Sequence, residues 1–226
     1  MTPPPVGLIL DIQHTGRKSK PGDLGAAYDL DSDGHPGEPG EREVDLVRGY
    51  VQAAYAYGDE VLVPVHVLDS GEYGARHERA IQIARMNPGF RWAYLACHTN
   101  AGGGRYAFAR PDYRSKGGEH LAVAVVNALK KLPEIDLRRV EPLYPNGAVA
   151  NKERYGAVDT TTATGIAWWT RGWSCIDGIY AGPSNLCGVL IEPFFGDSPA
   201  HKPLTTPEGL ARVGRALVDG VIAWGA

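Results

Sequence analysis

Val6-Gly7-Leu8-Ile9-Leu10-Asp11-Ile12-Gln13-His14 decides the reading of the fold. Up to Ile12 the run is short and mostly apolar without strict alternation, and Pro3-Pro4-Pro5 bounds it on one side. That is the pattern of a strand buried on both faces of a sheet. It ends at Gln13-His14. Residues 15 to 40 then hold nine glycines and prolines and several aspartates, a composition that favours turns and buries too little apolar surface for a core element. From Glu41 to about Tyr57 an amphipathic helix is expected, with Val44, Val47, Val51 and Ala54 at helical spacing and Glu43, Arg48 and Gln52 mostly on other faces. Gly58 is its expected stop.

Strand and helix alternate onward from there. Val61–Leu68 reads as a strand and Ala75–Met86 as a helix broken by Asn87-Pro88-Gly89, and Trp92–Cys97 is a third strand ending at His98. After the Gly102-Gly103-Gly104 turn, Tyr106–Ala109 is expected as an edge strand. Leu121, Val125, Ala128, Leu129 and Leu132 mark a third helix. Residues 133 to 174, interrupted by Pro133, Pro142 and Pro145, read as loops and short pieces. Cys187–Ile191 is a continuous apolar run of the central-strand kind, and Leu210, Val213, Leu217 and Val221 form a last helix. The expected fold is α/β: a single domain over residues 1–226, with a mostly parallel or mixed twisted sheet of about six strands and helices on both faces. Inserted loops are expected at about 15–40 and 133–174.

Composition narrows the function. The 226 residues are 43% hydrophobic, enough for one sizeable core. With 23 Lys and Arg against 26 Asp and Glu, the formal charge of -3 supplies no field for nucleic acid. Cys97, Cys175 and Cys187 are too few and scattered for a disulfide framework or a Cys-x-x-Cys zinc site. The Val6–Leu10 run lacks the length and basic flank of a secretory signal, so synthesis in the cytoplasm is expected, and no segment has the length of a membrane span.

In open α/β sheets, binding groups collect beyond the carboxyl ends of the strands. Here the first strand ends in His14, the third in His98 and the last apolar strand in Glu192, while Glu41 opens the first helix. Two imidazoles and one carboxylate leave a tetrahedral metal an open position, as in catalytic zinc sites, and a second carboxylate is then available as a base.

These residues stand in five segments whose order resembles the zinc-dependent N-acetylmuramoyl-L-alanine amidases of the amidase-3 type. Leu10-Asp11-Ile12-Gln13-His14-Thr15-Gly16 is similar to that family's first metal motif, and Gly40-Glu41-Arg42-Glu43-Val44-Asp45-Leu46 resembles its Gly-x-x-Glu-Lys-x-Val-x-Leu helix start. There the distances to Val44 and Leu46 favour Glu41 as the ligand over Glu43. Arg79–Ala84 resembles the helix before its third strand, Leu95–Ala101 its Ser-x-His-x-Asn-Ala motif, and Val189–Phe195 its Leu-Val-Glu-x-Gly-Phe. The resemblance implies one zinc per chain held by His14, Glu41 and His98, with Glu192 as the catalytic carboxylate. The implied substrate is peptidoglycan, cut between N-acetylmuramic acid and the L-alanine of the stem peptide. Without a signal peptide or a wall-binding repeat, a phage or prophage endolysin released onto the wall is the expected setting. Gln13 and Thr15 depart from the family's glycines, the stretch between His14 and Glu41 is long, and the region 133–174 is enlarged.

Simpler roles compete for several residues. His35 has His-x-x-Glu spacing with Glu38 but lies in the Gly/Pro loop with no strand before it. Glu43 reads as a solvated helix carboxylate and is the fallback ligand. Cys97 reads as a small buried hydrophobe facing away from the metal, because strand neighbours point to opposite faces. His66, His77, His120 and His201 read as structural or surface residues. Trp168, Trp169 and Trp173 read either as a satellite core or as a stacking platform for substrate. The rival functions are a zinc exopeptidase acting on soluble peptides and a metal-free wall-binding module.

Overall fold

The computed structural model of the protein describes residues 3–112, 114–135, 137–140 and 173–226. Trp168 and Trp169 lie outside these residues, as does most of the enlarged segment.

Six strands form one sheet. They are β1 (Val6–Ile12), β2 (Val65–Leu68), β3 (Arg91–Cys97), β4 (Tyr106–Pro111), β5 (Leu137–Val140) and β6 (Leu186–Glu192), in the order β2-β1-β3-β6-β4-β5. β2, β1, β3 and β6 run parallel, and β4 is antiparallel to β6 and parallel to β5. The sheet is therefore mixed, as expected. β1 is buried along its whole length, which is why it reads as an unbroken apolar run.

Alternation along the strands divides the core in two. Leu8, Leu10 and Ile12 of β1, Ala93, Leu95 and Cys97 of β3, and Val189 and Ile191 of β6 pack in one cluster with the apolar stripes of α1 (Glu43–Glu60), α3 (Lys116–Leu129) and α5 (Pro207–Gly225). Ile9, Trp92, Tyr94, Ala96, Leu186 and Leu190 face the other way, toward α2 (Tyr73–Met86) and the short α4 (Asp177–Tyr180). Helices thus cover both faces. The period of two also fixes the side on which each residue beyond a strand end begins.

Three boundaries differ from the sequence reading. Tyr106–Ala109 is interior, because Leu137–Val140 pairs along its far side. The first helix runs through Gly58 to Glu60, since Gly58 is a close-packing position: a Cβ there would meet Val65 Cγ2 at 2.3 Å. Glu60 is its last residue and Val61 the cap; Leu62 then takes a left-handed φ of 59°, followed by Pro64. Those two residues take up chain expected to be strand, so β2 begins only at Val65.

Candidate metal centre

The parallel register brings the carboxyl ends of β1, β3 and β6 level, with Ile12 opposite Cys97 and Cys97 opposite Ile191. His14, His98 and Glu192 therefore meet at one edge. Together with Glu43, Arg110 and Cys175 they line a cleft of about 720 Å³.

Three side chains converge in it. His14 Nε2 lies 3.2 Å from His98 Nδ1 and 3.5 Å from Glu43 Oε1, and His98 Nδ1 lies 2.9 Å from that same carboxylate oxygen. Ligands held about 2.1 Å from a tetrahedral zinc stand about 3.4 Å apart, so the triangle has the dimensions of such an ion's coordination face.

Glu41 is not part of this triangle, which corrects the ligand expected from sequence. Its Oε1 accepts from the backbone N–H of Leu30 at 2.7 Å and of Asp31 at 3.3 Å, in the preceding loop. The reason is helical phase. α1 begins at Glu43, and Glu43, Val47, Tyr50 and Ala54 are all buried on the stripe that faces the sheet. Glu41 precedes the helix in extended chain, where the Ala27–Arg42 bridge aligns it with the loop instead.

Outer partners hold each of the three side chains. Asp23 Oδ1, 2.9 Å from His14 Nδ1, accepts a hydrogen bond from Nδ1–H and leaves Nε2 as the lone-pair atom facing the cleft. Arg17 pairs with the other Asp23 oxygen. His14 sits at φ 56°, and the turn that carries it is tied from below by Arg76, which pairs with buried Asp11 and donates to the carbonyls of Ile12, Thr15 and Gly71. Tyr50 donates to the His98 carbonyl at 2.9 Å, and Cys175 Sγ is 3.8 Å from His98 Nε2, so the ring is gripped on its far side. Glu43 accepts from Thr99 N through Oε1 and from Ala26 N through Oε2.

The electrostatics are those of a cation site. Burial alone depresses the His98 imidazole, but Cys175 and Glu43 outweigh it and raise its pKa to about 10. Burial works to raise the Glu43 carboxyl, yet the hydrogen bond to His98 holds it below the usual range. Burial pushes His14 down. The raised His98 imidazole sets a positive charge beside the Glu43 carboxylate, a position that a divalent ion bound by the three side chains would take over from the proton.

Glu192 ends β6 on the Leu190 side, the parity expected from the strand, and lines the same cleft. Cys97 is fully buried in the opposite cluster, as its alternation with His98 implies. His35 is exposed and is absent from the metal-capable groups among the described residues. His77 contacts the Cys175 carbonyl and His201 Nδ1 accepts from Phe195 N, both structural roles. The sequence reading passed over Asp23, Arg76 and Cys175. Asp23 follows the first histidine closely enough to be sought as its carboxylate partner; Arg76 and Cys175 carry no local signal.

No protein-family model and no curated protein matches the sequence. Solved structures do. The N-acetylmuramoyl-L-alanine amidase AmiC2 of Nostoc punctiforme superposes with a TM-score of 0.59 at 14% identity, covering 97% of this chain and 96% of that one. The catalytic domain of the CD27L endolysin, targeting Clostridia difficile, matches with a TM-score of 0.51 at 18% identity over 96% of this chain and 97% of its own. Cwp6 from Clostridium difficile matches with a TM-score of 0.59 at 13% identity over 96% of this chain, which spans 29% of that longer protein. By its fold the chain is similar to N-acetylmuramoyl-L-alanine amidases.

Proposed function

We propose that the protein is a zinc-dependent peptidoglycan hydrolase that cuts the amide between N-acetylmuramic acid and the L-alanine of the stem peptide. The observation that carries this is the His14–Glu43–His98 triangle, with a further carboxylate, Glu192, in the same cleft. One zinc per chain is held by these three residues, Glu43 taking the place first assigned to Glu41. When bound, the ion supplies a water acidified toward neutrality and an electrophilic contact for the amide carbonyl.

The chain's own groups do the rest. Glu192 takes a proton from the attacking water and returns it to the leaving amine, general acid and base work that needs no covalent nucleophile. Asp23 keeps the His14 ring in one tautomer and orientation. Tyr50, through the His98 carbonyl, and Cys175, through its ring, do the same for the second histidine. Arg17 and Lys20 line the same cleft and place cationic groups beside the three side chains. The likeness to a bacterial amidase and to an endolysin domain supports the wall as substrate, and we extend the proposal to a lytic enzyme acting on the wall after release from the cytoplasm. No helix among the described residues is long and apolar enough to cross a membrane.

The test is release of new L-alanine amino termini from purified peptidoglycan by zinc-loaded protein, with Glu192→Gln beside it. The variant keeps the shape of the side chain and removes its basic oxygen, so it is expected to retain zinc while losing about 10² to 10⁴ in rate. Release of amino acids from soluble peptides, with the wall untouched, would assign the site to an exopeptidase. A zinc-loaded Glu192→Gln protein with near-normal wall cleavage would remove Glu192 from the mechanism.

A further inference from the structure

Glu41, displaced from the histidines, has a carboxylate environment of its own. A carboxylate oxygen of Glu41 lies within 4.8 Å of one from each of Asp29 and Asp31. Of the two Glu41 oxygens only Oε1 is occupied, by the amides of Leu30 and Asp31; Asp29 accepts from the amides of Asp33 and Gly34, Asp31 from that of Asp33, and Asp33 from that of His35, bonds that shape the turn. Its Oε2 is buried without a hydrogen-bond partner, in a residue only 8% exposed. A bare carboxylate oxygen out of water beside two more carboxylates is costly unless a cation neutralises the group. Among the described residues no ion pair reaches Asp29, Asp31, Asp33 or Glu41. The cations that touch this loop bind other groups: Lys202 contacts the Ser32 hydroxyl at 3.4 Å, and Arg42 donates to the Gly37 carbonyl.

The local sequence matches a divalent-cation loop. Asp29-Leu30-Asp31-Ser32-Asp33-Gly34 has the Asp-x-Asp-x-Asp-Gly spacing that presents alternate carboxylates to calcium, with glycine where the chain turns sharply. Gly34 adopts φ 90°. In the EF-hand pattern a glutamate stands at the twelfth position; here that position is Gly40 and the glutamate follows one residue later. No helix leads into this loop, whereas α1 leads out of it. All four candidate side-chain ligands are carboxylates, a hard oxygen set that suits calcium and not zinc.

We propose that Asp29, Asp31 and Glu41, whose oxygens already lie together, and Asp33, by its place in the Asp-x-Asp-x-Asp spacing, form a calcium site, separate from the histidine centre, that closes the inserted loop. The loop is hairpin-like: Tyr28 N donates to the Glu41 carbonyl at 2.9 Å and Gly37 N to the Tyr28 carbonyl at 2.7 Å. Its base reaches the candidate metal centre at two points. Tyr28 hydroxyl contacts Thr99 and the Asn100 carbonyl, and Glu43 follows Glu41 by two residues. A cation that joins the aspartate turn to Glu41 therefore fixes the entry to α1 and stiffens one wall of the cleft.

The experiment is calorimetric titration of calcium chloride into the full-length, zinc-saturated, calcium-stripped protein, with thermal melts alongside. One calcium per chain is expected, with a dissociation constant between about 10⁻⁶ and 10⁻³ M and magnesium bound more weakly. At a hundredfold excess over that constant the melting temperature should rise by about 5–10 °C. Asp31→Asn and Glu41→Gln should each abolish or greatly weaken binding while keeping the native circular dichroism spectrum. Glu43→Gln should bind calcium normally. The site is overturned by absence of binding up to 10 mM calcium, by equal binding in both loop variants, or by loss of binding in Glu43→Gln. Using two loop variants keeps the test decisive if one fails to fold.

Discussion

At the scale of single residues, Glu43 and Glu41 differ by two positions and have opposite surroundings. Glu43 faces two imidazoles, whereas Glu41 faces a loop of aspartates. The assignment makes a graded prediction for zinc affinity measured by competition with a chromophoric chelator. Glu43→Gln, which removes a direct ligand charge, should lose more than about 100-fold, and Asp23→Asn, which removes an outer partner, about 10- to 100-fold. Glu41→Gln should lose nothing. Equal losses in the Glu41 and Glu43 variants would refute the ligand set. The sequence held conflicting signs here. Counting Gly-x-x-Glu from Gly40 arrives at Glu43, whereas counting back from Val44 and Leu46 arrives at Glu41. Helical phase resolves the conflict, because Glu43 leads the buried stripe through Val47, Tyr50 and Ala54. The histidines are easier to find, since His98 directly follows β3 and His14 stands two residues beyond β1, each after an apolar run that ends in plain view.

Among the elements, β1 and α2 are joined by a fully buried ion pair between Asp11 and Arg76. Tyr94 hydroxyl also binds Asp11, and the same guanidinium holds the carbonyls of Ile12 and Thr15 on either side of His14. Removing one member of such a pair strands the other charge, at a cost of about 3–5 kcal/mol. Arg76→Met should therefore lose that much stability in urea denaturation. The double variant Asp11→Asn, Arg76→Met should recover part of it, because the stranded carboxylate is gone. A double variant no more stable than Arg76→Met would show that the lost carbonyl bonds, and not the charge, dominate. Periodicity disclosed β1, α2 and their order but not this link. Arg76 is one charged residue on a helix of mixed composition, and its partners are backbone groups of a distant turn, so nothing in its neighbours marks it as buried. For the same reason the sequence of β4 reads as an edge: the short Leu137–Val140 strand that pairs along it carries too little pattern to mark it.

The whole molecule brings together His14, Glu43 and His98 from β1, α1 and β3, segments far apart in the chain. An ion bound by all three exists only when the sheet and the first helix are assembled, so its binding energy adds to the stability of the folded state. At a free zinc concentration 100 times the dissociation constant the gain is about 2.7 kcal/mol, which for a domain of this size raises the melting temperature by about 5–10 °C. The measurement is a melt of zinc-loaded protein with and without 1,10-phenanthroline, a chelator that removes zinc and leaves calcium, so that the inserted loop is not disturbed. Wild-type protein should lose the full increment. Glu43→Gln, short of one ligand, should melt at nearly the same temperature with or without the chelator. The control matters because Glu43 also accepts hydrogen bonds from Thr99 and Ala26. The variant's own melting temperature therefore reports those contacts together with the metal, whereas its response to the chelator reports the metal alone. A wild-type melting temperature indifferent to phenanthroline, in protein shown by elemental analysis to carry zinc beforehand and none afterwards, would mean that the ion is held elsewhere than across these three elements.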